Sequence, residues 1–392
     1  MAQNTTLVKK ITPEQRVTVL FVTPHFGNVT NGPALYTQNL WSLFSQDQNI
    51  DFHIATLTSN IQHPKIHEFT GYQRSRSMYA QLERHVGDLL KEDGFSTGNV
   101  LIHLNSAHTL SRKTLERHKS IIQINDTEVA QWEPSIGCLL QHGLRRNLAL
   151  AWRKKRERSA AMAAKIVVCN SQFTSQTVGK LYSLDSKNVI TIYKAIALAP
   201  FQAIRPKARK TSHQLELIFI GSNWVRKGLQ PLILALDQMR HHKKPYAVSL
   251  SVYGDPPHSV KSRFVKTVKK LKLTDRIHFK GVLSRDRAPE VISKHDALII
   301  PSLEEALGLV AIEGLAVGIP VIASNVGGLP EIVNSEIGYL AVPGDHNSLA
   351  NYIDLVATKS CTESDIQERK RSVARFGIKR LENELRTLYL SI

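Results

Sequence analysis

The chain predicts an α/β protein made of two Rossmann-like, doubly wound, mostly parallel sheets. Three observations carry this: two successive series of short apolar runs alternating with helical patterns, a polar basic stretch between the series, and a length of 392 residues, too great for one small core. Residues 17–22 open the first series as a mostly apolar run, the pattern of a parallel strand covered on both faces. A turn-rich loop, 24–33, leads into a helix that places Tyr36, Leu40, Leu43 and Phe44 at helical spacing. Further strands are expected at 52–57, 100–104, 121–124, 166–169 and 189–193. Residues 200–213 turn polar and basic, with prolines at Pro200 and Pro206, and read as a linker. Strands then recur at 215–220, 247–253, 277–280, 297–300 and 320–323 with helices between, and 376–391 reads as an amphipathic helix carrying Ile378, Leu381, Leu385 and Leu388. The expected domains are residues 1–200, 201–375 and a C-terminal helix, 376–392. Ligands of doubly wound sheets collect at the carboxyl ends of their strands, so a cleft between the domains is the expected site.

Composition narrows the class. A hydrophobic fraction of 42% with modest Gly and Pro is that of a globular protein. Cys138, Cys169 and Cys361 are odd in number, far apart and without metal-ligand spacing, which points to a reducing, cytoplasmic setting. The first fifteen residues are polar and lack the apolar core of a signal peptide, and no run reaches the roughly 18 apolar residues of a membrane span. At most the chain lies on a membrane. Its net charge of +18 is spread over both halves and favours anionic partners: phosphate-bearing substrates, anionic lipid or nucleic acid. No nucleic-acid-binding signature occurs and few aromatics lie among the basic clusters, so no nucleic acid is expected.

The most informative segment is 301–333, PSLEEALGLVAIEGLAVGIPVIASNVGGLPEIV. It reads as a loop, a helix and a strand, following the strand 297–300. Glu305 sits in the loop and Glu313 inside the helix. The backbone N–H groups of Leu307, Gly308, Leu309 and Val310 have no intrahelical partner and lie at the positive end of the helix dipole. Such an end accepts a pyrophosphate. Glu313 is five residues past Gly308, about 7–8 Å along the axis, so a nucleotide-sugar could span both carboxylates.

This segment resembles the nucleotide-sugar site of retaining glycosyltransferases of family 4, the group 1 type, which have the GT-B fold. Their usual form is close to PSxxEGFGLVxLEAMAxGxPVIAxxxGGxxEIV; here Ala306-Leu307 replaces Gly-Phe, Ile312 replaces Leu, and Gly314-Leu315 replaces Ala-Met. The resemblance implies that Glu305 contacts the donor sugar and Glu313 the ribose hydroxyls. After the strand 215–220 comes Gly221-Ser222-Asn223-Trp224-Val225-Arg226-Lys227-Gly228, similar to the family's GR-x4-KG motif and closer to the G-S-x-x-x-R-K-G of lipopolysaccharide-core sugar transferases. Ser222 stands at the usual Arg position, and Arg226 with Lys227 takes the pyrophosphate clamp. In the first domain the loop ending Asn31-Gly32 keeps one of the two glycines that relatives carry there. Asn125-Asp126 stands where the family often has His-Asp; Asn can bond a hydroxyl but exchanges no proton near neutral pH. In a front-face retaining reaction the donor phosphate can take the acceptor's proton, so Asn125 remains a candidate beside the sugar.

No Asp-x-Asp pair is present to hold Mg²⁺, and Asp126-Thr127-Glu128 is the nearest approach. Metal independence without a cofactor, the nucleotide-sugar being a co-substrate, is therefore expected. Residues 145–158 carry Arg145, Arg146, Arg153, Lys154, Lys155, Arg156 and Arg158 with Leu144, Leu148, Ala151 and Trp152 between them. This is either a helix lying on an anionic membrane surface or a solvated helix over the first sheet. His25, His103 and His108 carry no assigned role. The expected function is hexosyl transfer from a nucleotide-diphosphate sugar to a glycan or lipid-linked acceptor, in polysaccharide or glycolipid biosynthesis. The alternatives are a non-catalytic nucleotide-sugar-binding or assembly protein, prompted by Asn125 and Ser222, and a GT-B-fold epimerase, which needs acid/base groups that the sequence does not place.

Overall fold

The computed structural model describes residues 16–27, 32–74, 77–95, 100–132, 136–206, 214–241 and 245–392, with the backbone alone for 32, 33 and 136–143. The N-terminal fifteen residues, Asn31, the Cys138 side chain and residues 207–213 of the expected linker lie outside these described parts. The chain forms two compact units, Met1–Lys194 with Ile378–Ile392, and Ala195–Gly377.

The first unit holds a seven-stranded parallel sheet in the spatial order Ile66–Glu68, Ile50–Thr56, Val17–Val22, Val100–Leu104, Lys119–Ile124, Ile166–Cys169, Val189–Thr191. Its central strands are continuous apolar runs because helices cover both faces, and Val19 to Val22 are fully buried. Chain order reverses between Val17–Val22 and Val100–Leu104, which opens a crevice at the carboxyl ends of those strands. Helix Ile378–Ser391 belongs to this unit. Leu381 and Leu385 are buried, the Tyr389 hydroxyl lies 2.7 Å from His103 Nδ1, and Arg386 pairs with Asp47.

The second unit holds a six-stranded parallel sheet ordered Ile277–Gly281, Ala247–Tyr253, Gln214–Ile220, Ala297–Ile300, Val321–Ser324, Gly338–Ala341. Its reversal falls between Gln214–Ile220 and Ala297–Ile300, the strands that lead into the Gly221–Gly228 and Pro301–Gly308 loops. The linker reading of 200–213 needs correction at its start. Ala199–Gln202 is a helical turn, with Pro200 in its first turn, where a missing N–H leaves nothing unsatisfied. Lys370 Nζ donates to the carbonyls of Gln202 (2.8 Å) and Ile204 (3.0 Å), tying this stretch to the second unit.

Candidate functional site

In the second unit two loops meet at the switch point. The Arg226 carbonyl accepts the Leu303 N–H at 2.8 Å, fastening the basic turn to the glutamate loop. Gly228 makes this approach possible: at φ +70° its hydrogen faces the Pro301 carbonyl, and a Cβ there would lie 1.7 Å from that oxygen. Gly327 does the same on the other side. Its φ is +60°, and a Cβ would meet the Glu305 carbonyl at 1.6 Å. The glutamate loop thus has a glycine against it on each side, Gly228 at Pro301 and Gly327 at Glu305.

Lys227 Nζ forms an ion pair with Glu305 Oε2, which also accepts the Ser302 hydroxyl at 3.2 Å. The expected phosphate cation and the expected sugar carboxylate therefore neutralise each other. Arg226 differs: its guanidinium meets no carboxylate among the described residues, and its buried Nε has no partner. Helix Leu309–Val317 begins at its N-cap, Gly308. Among the described residues the N–H groups of Gly308, Leu309 and Val310 find no acceptor, so this end combines free donors with the positive pole of the helix. Leu307 is buried beside it. Ser222 is exposed, its hydroxyl 3.4 Å from the Asp255 N–H, and supplies no charge to the clamp.

Glu313 is 8% exposed on that same helix, with no ion-pair or hydrogen-bond partner among the described residues. Burial pushes its carboxyl up to about 7, opposed only in part by the Arg285 charge. A buried carboxyl without a partner is suited to a ligand that brings its own donors, as a pair of hydroxyls does.

In the first unit a cavity of about 710 Å³ lies at the carboxyl ends of the strands. Asn125 lines it, donating through Nδ2 to the Asn105 carbonyl (2.8 Å) while its Oδ1 is buried without a partner. His25 and His108 also line it. His103 instead is fully buried beneath Tyr389, and burial pushes its imidazole down to about 3. Gly32 starts the helix Gly32–Phe44. Asp126 spends one carboxylate oxygen on the Glu128 N–H (3.1 Å) and Glu128 pairs with Arg146, so the two do not converge; among the described residues no cluster of three His, Cys, Asp or Glu side chains is placed to hold a metal.

The basic run belongs to the long helix Ile136–Ala163. Its cations divide by role. Lys154 donates to the Trp132 carbonyl and Arg156 to the carbonyls of His108 and Thr109, so both hold the fold together. Leu144, Leu148 and Trp152, four residues apart, are 63%, 62% and 44% exposed, with Arg145, Lys155 and Arg158 exposed beside them. Sequence reasoning missed Lys194, buried under the Tyr36 ring with its ammonium pushed down to about 8 by burial. It also missed Arg74, Asn105 and Gln123 of the cavity, for which no local pattern exists. Among the described residues no helix is long and apolar enough to cross a membrane.

Comparison with known proteins places this geometry. Residues 200–373 match the family of glycosyl transferases group 1. The gpi3 subunit of phosphatidylinositol N-acetylglucosaminyltransferase from Schizosaccharomyces pombe is 28% identical over 194 residues, covering 49% of this chain and 41% of that protein. The chain therefore spans less than half the length of that curated relative. Sucrose-phosphate synthase from Thermosynechococcus elongatus superposes over 95% of this chain and 98% of its own, with a TM-score of 0.71 at 18% identity. Anabaena HepE, solved in complex with UDP and glucose, covers 96% of this chain and 100% of its own, with a TM-score of 0.69 at 18% identity. With the motifs at the second sheet's switch point, these likenesses settle the fold as GT-B, and residues 200–373 are similar to the group 1 glycosyl transferases.

Proposed function

We propose that the chain is a retaining, metal-independent glycosyltransferase that moves a hexosyl group from a nucleotide-diphosphate sugar to a glycan or lipid-linked acceptor. The observation that carries the reading is the grouping, around one switch point, of an unpaired Arg226 guanidinium, unpaired N–H donors at Gly308–Val310 and two differently placed carboxylates. The diphosphate binds Arg226 and the helix end. Glu313 accepts the ribose hydroxyls. Glu305 accepts a hydroxyl of the sugar, and Lys227 turns from Glu305 to the phosphate.

In the reaction the acceptor oxygen bonds to the anomeric carbon on the face from which the diphosphate leaves. The carbon–phosphate oxygen bond breaks, and the acceptor's proton passes to the departing phosphate oxygen. No protein base is required, which accommodates Asn125. Arg226, Lys227 and the helix end neutralise the charge that grows on the diphosphate, the role a metal takes elsewhere. The exposed Leu144–Leu148–Trp152 stripe and its flanking cations support a seat on the anionic cytoplasmic face of a membrane. The test is product analysis with a panel of nucleotide-sugars and acceptors. A new glycoside whose anomeric configuration matches the donor's supports the reading. An inverted glycoside refutes retention, an isomerised nucleotide-sugar indicates an epimerase, and binding without turnover indicates an assembly protein.

A further inference from the structure

The first unit's cavity has a chemistry of its own. Two arginines line it, Arg74 and Arg153, and neither guanidinium has an ion-pair partner among the described residues. The Arg153 Nε is moreover buried with no hydrogen-bond partner. Its helical neighbours Lys154 and Arg156 are occupied by backbone carbonyls, so within that run Arg153 is the cation left facing the cavity. The cavity also holds two carboxylates, Asp126 and Glu157, and neither is ion-paired with Arg74 or Arg153 among the described residues. Asp126 Oδ1 accepts the Glu128 N–H at 3.1 Å, and Glu157 Oε1 accepts the Tyr182 hydroxyl at 2.7 Å. On the cavity wall Asn105 Oδ1, Gln123 Nε2 and Asn125 Oδ1 are buried without partners, Asn105 being 6% and Gln123 1% exposed. Unmet donors and acceptors together match hydroxyl groups, which both give and take hydrogen bonds. A volume near 710 Å³ lies within the usual range of about 300–1,000 Å³ for small-molecule sites.

We infer that this cavity binds an acidic sugar or polyol, its phosphate or carboxylate on Arg74 and Arg153 and its hydroxyls on Asn105, Gln123 and Asn125. The inference rests on the transferase reading and names the class of acceptor. That acceptor is either free in solution or the headgroup of a lipid.

The experiment uses the full chain, saturated with whichever of UDP, GDP or ADP most raises its melting temperature. Glucose phosphate is titrated by calorimetry with glucose as its neutral match. In parallel, phosphatidylcholine vesicles containing phosphatidylinositol are compared with vesicles containing the same share of phosphatidylserine. Glucose phosphate binding at least about tenfold tighter than glucose supports the inference with a soluble acceptor, as expected for one charge-assisted contact. Preference for phosphatidylinositol over phosphatidylserine vesicles supports it with a lipid acceptor. In either arm Arg74→Gln and Arg153→Gln each lose about tenfold in affinity and Arg153→Lys recovers part of it. The nucleotide-induced rise in melting temperature stays at its wild-type size in all three variants, showing that they fold. Equal binding of glucose and glucose phosphate with no vesicle preference overturns the inference, as does wild-type affinity in both glutamine variants. If no nucleoside diphosphate shifts the melt, the transferase reading fails instead.

Discussion

Glu313→Gln tests the second unit's site through pH. The folded carboxyl titrates near 7 against an ordinary 4.5, because burial disfavours its charged form. Below pH 4.5 it is protonated in folded and unfolded chains alike and makes no difference to stability. Between 4.5 and about 7 the unfolded chain releases the proton while the folded chain keeps it, so stability falls with rising pH by up to about 1.4 kcal/mol per unit. The loss is complete above about 7 and amounts to about 3 kcal/mol. Glu313→Gln removes it. Urea melts of the two proteins between pH 4.5 and 8 should therefore diverge in favour of the variant by about 3 kcal/mol. Nucleotide binding should run the other way. Ribose hydroxyls donate to a carboxylate, so wild-type affinity should be flat above pH 7 and weaken about tenfold per unit below it, with a proton released on binding. The variant should bind about ten- to hundredfold more weakly at pH 8, with no pH dependence from this group. Parallel stability profiles would show that Glu313 is not desolvated. Unchanged nucleotide affinity would remove it from the ribose.

Glu305→Gln should leave free nucleoside diphosphate bound as tightly as in wild type or more tightly, since Lys227 loses its competitor, while kcat/KM for the intact donor falls at least about tenfold; a loss of nucleotide affinity in calorimetry would contradict this. Turnover should persist in EDTA, and loss restored by Mg²⁺ would refute the Arg226–Lys227 clamp as what neutralises the diphosphate. Replacing Arg145, Lys155 and Arg158 together with Gln should weaken flotation with anionic vesicles about a hundredfold, at about 1 kcal/mol per cation, without altering nucleotide affinity. Wild-type binding that ignores added salt would refute the electrostatic seat, since exposed charges are screened within about 8–10 Å.

How much the sequence revealed follows from how the information is distributed along it. The central strands of both sheets are buried on two faces, and their continuous apolar runs gave Val17–Val22, Val100–Leu104 and Ala297–Ile300 their bounds directly. Edge strands carry that signal unevenly: Val189–Thr191 and Ile277–Gly281 were legible as short runs, and the other two edges were not. Ile66–Glu68 is short and partly exposed, and Gly338–Ala341 opens on a glycine and shows solvent at Tyr339 and Leu340; neither was readable. Residues 200–206 carried the composition of a linker, but Lys370 reaches them from far along the chain. The same division runs through the sites. Glu305, Gly308 and Glu313 share one continuous segment whose spacing is fixed by a loop and a helix start. The first unit's cavity draws Arg74, Asn105, Gln123 and Arg153 from separate segments, so no spacing could have announced it.

The pairing of Lys227 with Glu305 spans 78 positions and was equally invisible, yet it changes how the site must work. Two groups assigned to different parts of the donor satisfy each other while the site waits, so neither half-buried charge is left bare. A free nucleoside diphosphate offers Lys227 a phosphate but leaves Glu305 without a donor. An intact nucleotide-sugar supplies both a phosphate for the lysine and a hydroxyl for the glutamate. Opening the pair is thus compensated in full only by the complete donor, and the interaction that holds the empty site together also favours the substrate over the product nucleotide. The close approaches of Gly228 to the Pro301 carbonyl and of Gly327 to the Glu305 carbonyl set the two loops near enough for this exchange of partners.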